Sequence, residues 1–490
     1  MTIDASARAS ALGIGTEFKD LREGGASFLP QRIALFAQGE SGVDFSLDKW
    51  PATGAGAAGA RFGYKSPIYL CLQQLQPANG DGVGTIPIDV YPLEDAYEGV
   101  AAVGSITPSG TMTEAAAYRV RVAGVLSAPF VLDEDDTVAT ACDAIVAAIN
   151  AVLGMPGTAT DVTTRVDFTA GWAGTSGNDL TIEIIGDVSL GMSFAIVQPT
   201  GGLVDPAVDD ALDLLGEEWT TMVLFAGSIA DEDALDAFQA EGEGRWDDLI
   251  HKPFVCFTGN TIADVTAATA VSSARRDDRV NCQLVAPGSV NLPCVVAARQ
   301  LARIARVANN NPPTGYKAQR ATGLIPGTDG EQWDYAERDL ALKAGSSTVE
   351  VKDGVVNIAD VVTFYRPEGE DPPGFRYVVT VVKLQNCIYN INAEFAKAEW
   401  AAAPLVNDDD AVVNPNAKQP KMVRAKANAI LAGLGRQAII ANVKAAQKKT
   451  TAVIDGDNPD RLNLSVEFPV SGNTNIIAIT QTFGFNFGGS

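Results

Sequence analysis

DGVVNIADVVTFYRPEGEDPPGFRYVVTVVKLQNCIYNINAEFAKAEW, residues Asp353–Trp400, decides how this chain is read. Val361–Tyr365 and Phe375–Val382 are rich in Val, Thr and aromatics, which a pleated backbone accommodates well, so both read as strands. Between them Arg366–Gly374 carries three prolines and two glycines, the composition of a turn or a longer hairpin loop. Val378, Val379, Val381 and Val382 put apolar side chains on both faces of the second strand, which predicts cover on both sides. The period then changes. Leu384, Ile388, Ile391 and Phe395 recur at steps of three and four, marking an amphipathic helix that docks on the sheet.

Outward from this stretch, 490 residues are too many for one core, and about two to four domains are expected. A composition of 46% hydrophobic and 20% charged residues is that of an ordinary globular chain. No run approaches the ~18 apolar residues of a membrane span, and no basic-then-apolar leader opens the chain, so synthesis in a cytoplasm without membrane insertion is expected. The net charge of −24 argues against nucleic acid as the main partner, because phosphate recognition needs clustered Lys and Arg. The charge is uneven. Ala411–Ile454 holds eight basic residues and no acidic one, leaving −32 on the remainder. Six cysteines (Cys71, Cys142, Cys256, Cys282, Cys294, Cys387) lie far apart with no CxxC pair, which removes zinc and thioredoxin-type chemistry. They read as reduced, buried thiols, with cross-linking after release into an oxidising medium left open.

The chain predicts a mixed α/β (α+β) fold: a mixed sheet flanked by helices, an inserted β-rich α+β module, and extended N- and C-terminal arms. Residues 1–30 form the N-terminal arm, and residues 31–103 the first part of the core, opening with a strand at Arg32–Ala37. GAGAAG (Gly54–Gly59) matches the dinucleotide fingerprint as a string, but Pro51 breaks any strand before it. It reads as a flexible loop leading into a helix at Ile68–Leu75. Residues 104–202 are the inserted module, with strands at Tyr118–Val122, Val162–Phe168 and Leu180–Ile185 and a helix at Ala139–Leu153 capped by Thr137. Residues 203–325 alternate helix and strand: Val208–Leu215, Thr220–Phe225, Ala230–Ala240, Phe254–Thr258, Ile262–Ala274, Val280–Val285, then Cys294–Ala308. That alternation argues for helices covering a mostly parallel sheet. Arg299, Arg303 and Arg306 share one side of the last helix and read as a solvated face or as intersubunit salt bridges.

Residues 326–475 contain the opening stretch and two basic helices, Lys421–Leu434 and Arg436–Lys449, broken by Gly433 and Gly435. Leu462, Leu464, Val466 and Phe468 then alternate with polar residues, a half-buried strand. Residues 476–490 carry a second such strand, Ile477–Phe487, whose apolar face a chain end cannot bury alone. It pairs either within its own subunit or with a neighbour's exposed sheet edge. No enzyme emerges. His251 is the one histidine and has no visible catalytic partner; no GxSxG, P-loop or HExxH string occurs. Asp455, Asp457 and Asp460 imitate a calcium loop, yet Pro459 stands where a ligand belongs. Neither cofactor nor metal is implied.

The order of motifs resembles contractile tail sheath proteins, and among them the sheaths of Mu-like phages. The features that carry the likeness are Asp353-Gly354-Val355 with Ile358, Val362-Thr363 with Tyr365, the Pro/Gly loop and the helix after it. An arm followed by a strand ending Ala37-Gln38-Gly39, and a turn Gly174–Asn178 in the module, extend it. Asn311-Pro312-Pro313-Thr314 departs from the family's Pro-rich connector. The resemblance implies a virion structural protein of a bacteriophage, assembled in the host cytoplasm and used in genome ejection. Its copies would stack as hexameric rings in a helical array around the tail tube, contacting baseplate and tail terminator proteins. It implies that the module projects outward and that the arms link subunits by strand augmentation, through Ile477, Ile479, Phe483 and Phe485. It implies further that a basic C-terminal helix grips the tube, through Lys421, Arg424, Lys426, Arg436, Lys444 and Lys448. A static surface-layer or tube polymer, and an enzyme with an unrecognised acidic site, are the competing classes.

Overall fold

A computed structural model describes residues 26–187, 190–247, 249–369, 374–475 and 479–480. The chain divides into two compact units, residues 29–385 and residues 386–490 together with 1–28. The fold is mixed α/β, as its sequence predicts.

The larger unit is built on a six-stranded sheet in the order Asn281–Val285, Val255–Asn260, Met222–Phe225, Ile33–Gln38, Ile88–Leu93, Trp50–Pro51. The first five run parallel, and only the edge strand Trp50–Pro51 is antiparallel. Pro51 is tolerated because it lies on that edge, where its missing N–H breaks no ladder. The parallel strands are buried along their whole length, the pattern of a sheet covered on both faces. Alternate residues of one strand go to opposite sides: Ile33, Leu35 and Ala37 to one core, Ala34 and Phe36 to the other. Helices Pro67–Leu75 and Pro293–Asn310 cover the first face; Asp209–Asp213 and Glu232–Gly244 cover the second. There Phe36 stacks on Tyr91 at 4.7 Å and meets Phe238 edge-on at 5.2 Å. Local sequence starts these helices. Ser66 accepts from the N–H of Tyr69 with Pro67 in the first turn, and Asp231 accepts from the N–H of Ala234.

The inserted module is two antiparallel sheets and one helix. Met192–Thr200, Ala101–Gly110, Val166–Ala173 and Gly157–Asp161 form the first sheet. Ala116–Val122 organises the second, pairing with Ile182–Ile185, Val125–Leu126 and Phe130–Leu132. The helix Val138–Asn150 packs between them. Thr137 does occupy its N-cap, but the side chain makes no capping bond. Val100 and Leu203 close the module's neck with paired backbone hydrogen bonds of 2.9 and 3.1 Å.

Several expectations are corrected. Phe375–Val382 is not a strand: a helix runs Val378–Phe395, and before it only Val362 and Tyr377 make an isolated bridge. Val378, Val379, Val381, Val382, Lys383 and Gln385 are all buried. An apolar run buried on every side has no period to separate helix from strand. The strands of this region lie earlier, as the hairpin Thr348–Lys352 and Val355–Asp360. GAGAAG is not a flexible loop, because Ala55–Phe62 is a helix. Ile262–Ala274 breaks into Val265–Ala268 and Ala270–Ala274, since the hydroxyl of Thr269 donates to the carbonyl of Val265 at 2.8 Å and turns the chain.

The smaller unit packs Pro420–Arg436 and Val443–Lys449 beside the C-terminal part of Val378–Phe395. Gly433 and Gly435 do not break the first helix, which runs on to Arg436. A side chain at Gly433 would collide with the backbone of Ala26, so glycine is there for close approach. The break falls at 437–442, where Ala438 and Asn442 take left-handed conformations (φ 58° and 48°). The expected strand from Leu462 is shorter, Leu462–Ser465, antiparallel to Thr451–Ile454. Val466 and Phe468 turn instead into the helical core.

Candidate assembly surfaces

Val423, Ala427, Ile430, Leu431 and Leu434 form the buried stripe of Pro420–Arg436. Ile430, Leu431 and Leu434 join Cys387, Ile439, Ile440 and Ala446 in the core of the smaller unit. Burying that stripe leaves the charged residues of the helix outward. The structure sorts the predicted tube-contact residues into two sets. Lys421 donates through Nζ to the carbonyl of Asp408 at 2.7 Å, and Arg424 lies 3.8 Å from the Asp408 carboxylate. Lys426 reaches Glu394 at 3.1 Å and Glu399 at 3.8 Å. Its hydrogen bond with Glu394 raises the Lys426 ammonium above its ordinary value. Burial pushes Glu394 up, but Lys397 and Lys426 outweigh it and hold the carboxyl below the usual range. Arg424 and Lys426 therefore already meet carboxylates of their own unit, and Lys421 a backbone carbonyl of it.

Arg436, Lys444 and Lys448 are exposed and make no ion pair among the described residues. Lys444 and Lys448 are four residues apart on one helix face. Arg436 and Lys448 also sit in the last turns of their helices, where the dipole favours cations. The sequence reading missed Asp408, Glu394 and Glu399. Asp408-Asp409-Asp410 reads only as a polar loop, because nothing in a linear string folds it over a helix twelve residues on.

The second surface is the hairpin Thr451–Ile454 and Leu462–Ser465. Neither outer edge has a strand partner among the described residues. Asp455 closes its loop, accepting from the N–H groups of Asp457 and Asn458 at 3.0 and 3.1 Å and from Asn463 at 2.8 Å. Against the hairpin lies an open apolar groove of about 900 Å³, lined by Phe395, Trp400, Pro404, Leu405, Val423 and Leu464 among others. Two described segments near the chain ends are tied down in this unit. Ser27 and Asn390 exchange hydrogen bonds of 2.8 and 2.9 Å, anchoring the N-terminal segment at its last residues. At the other end Ile440 bridges Val470, and the N–H of Ser471 donates to Ile439 at 3.0 Å. Of the predicted intersubunit strand, Ile477, Phe483 and Phe485 lie outside the described residues. Ile479 is 73% exposed.

This fold, a doubly covered parallel sheet carrying a β-rich insertion and a second helical unit, is that of contractile tail sheath proteins. It matches the contracted helical sheath of the anti-feeding prophage with a TM-score of 0.50 and 12% identity, covering 96% of this chain and 99% of that one. A sheath tail protein from Listeria innocua gives a TM-score of 0.47 and 14% identity over 92% and 94%. In sequence, the chain is 25% identical over 392 residues to the Mu-like prophage FluMu tail sheath protein of Haemophilus influenzae, covering 78% of each. The resemblance to Mu-like sheaths carried by the order of its motifs therefore holds. No family model matches the chain.

Proposed function

We propose that the chain is the structural subunit of a contractile phage tail sheath, polymerising helically around a tail tube and contracting to drive it through the host envelope. The observation that carries this reading is the likeness to a Mu-like sheath across 78% of both chains, on a shared fold. Its work is repacking of a polymer between two lattices, not chemistry on a ligand. The subunit's partners are other copies of itself, in stacked hexameric rings, with the tail tube, baseplate and tail terminator proteins. It is assembled in the host cytoplasm and resides in the virion.

The arms supply the links. The C-terminal strand around Ile477–Phe487 adds to the open hairpin edge of a neighbour, where backbone hydrogen bonds give affinity and alternate side chains give register. The module at 104–202 projects outward. Arg436, Lys444 and Lys448 face the tube, and Lys421, Arg424 and Lys426 support that face from within the unit. Electron microscopy of the purified chain tests the reading. Hollow striated cylinders are expected, in a longer and a shorter form. Deletion of 477–490 should abolish them, whereas soluble particles from both proteins would end the proposal.

A further inference from the structure

Arg299, Arg303 and Arg306 stand at i, i+4 and i+7 of Pro293–Asn310, and all three turn to one carboxylate, Asp81. Arg299 donates to the Asp81 carbonyl at 2.5 Å and also binds its carboxylate, to which Thr322 donates at 2.8 Å. Arg303 takes the other carboxylate oxygen, and Arg306 lies 3.9 Å from it. Three guanidinium groups on one acid leave an excess of two positive charges. Arg299 is almost wholly buried, and its Nε, like that of Arg303, has no partner among the described residues.

Arg299 is also one wall of a cavity of about 650 Å³. Its lining also includes the amides Gln73, Gln74, Gln76 and Asn79 and the start of the helix Ala55–Phe62, at Ala55 and Gly56. That helix begins at Gly54, which offers no side-chain cap, so its positive end is left to whatever enters. No carboxylate lines the cavity, although the chain has 60 acidic residues against 36 basic ones.

We propose that this notch is an oxyanion socket that receives a carboxylate side chain from a second copy of the chain. The contact rests on the self-assembly reading, and charge complementarity selects the occupant: the body of the chain is acidic, whereas Arg299 and side-chain amides line the notch and the surplus charges of Arg303 and Arg306 stand beside it at Asp81. A planar carboxylate suits guanidinium and amide donors together.

The test uses the full chain and two variants, Gln73→Glu, which places a like charge in the wall, and Arg306→Glu, the most exposed of the three arginines. Circular dichroism and melting temperature establish that both fold. Sedimentation of polymer should then show the concentration needed for assembly raised about tenfold, or roughly 1.4 kcal/mol per contact. Sulfate should suppress assembly of the parent more than chloride does at equal ionic strength. Folded variants that polymerise like a polymerising parent overturn the contact and leave the sheath reading intact. Calorimetric sulfate binding with unaltered polymerisation would mean the notch serves a free anion, and the copy-to-copy contact is wrong. A parent that never polymerises sinks the sheath reading, and this contact with it.

Discussion

At position 383 the chain buries a lysine among valines, and burial lowers its ammonium from 10.5 to about 8. Below pH 8 both folded and unfolded chains hold the proton, and burial disfavours that charged form in the folded one. Between pH 8 and 10.5 the unfolded chain binds more protons, so this group's contribution to stability rises with pH. Lys383→Met should therefore melt above the parent at pH 7, with the advantage fading toward pH 10.5. An advantage of equal size at pH 7 and pH 10 would contradict this account. Gly259 makes the opposite kind of point. A methyl group there would run into the backbone of Pro293, where strand Val255–Asn260 and helix Pro293–Asn310 cross. Backbone cannot give way as a side-chain tip can, so Gly259→Ala should cost about 1–3 kcal/mol in a denaturant melt. Nothing in the sequence distinguishes Gly259 from a loop glycine.

Among elements, the basic helices allow a sharper test than their charge alone. Reversing Arg436, Lys444 and Lys448 should weaken tube attachment and leave the melting temperature nearly unchanged, because no ion pair of their own among the described residues is lost. Reversing Lys421, Arg424 and Lys426 should lower the melting temperature too, since Asp408, Glu394 and Glu399 then face like charges. Equal effects of the two triples on melting would erase the distinction. Legibility in the sequence follows the same physics. The parallel strands were readable because a sheet covered on both faces demands unbroken apolar runs between helices. The same property hid Val378–Val382, where a buried helix satisfies the identical pattern. The hairpin at 348–360 was readable in principle: Asp353-Gly354 adopts φ of 52° and 71°, the two-residue turn that Asp-Gly favours between alternating apolar residues. Its aliphatic strands compete, as a β signal, with the more aromatic stretch that follows. At the surfaces, basic residues could be counted from the string, but the carboxylates facing them could not, because they come from a loop with no periodicity.

For the molecule as a whole, the module between Val100 and Leu203 looks removable by its closed neck, but its core is not its own. Tyr118, Ile145 and Phe168 belong to one continuous apolar cluster with Ile33, Ile68 and Leu301. Replacing 101–202 by a short flexible linker should keep the sheet's circular dichroism and lower the melting temperature. An unchanged melting temperature would show a separable domain. The insertion has a further consequence through the register of the main sheet. Ile33 pairs with Met222, so the first of the described strands to leave the ribosome waits for a neighbour almost two hundred codons away. At roughly 5–20 residues per second that is on the order of ten to forty seconds of translation with an apolar strand open on one side. Until then the nascent chain is exposed to its siblings on the same message, and expression temperature and chaperone supply should govern its yield more than its final stability does.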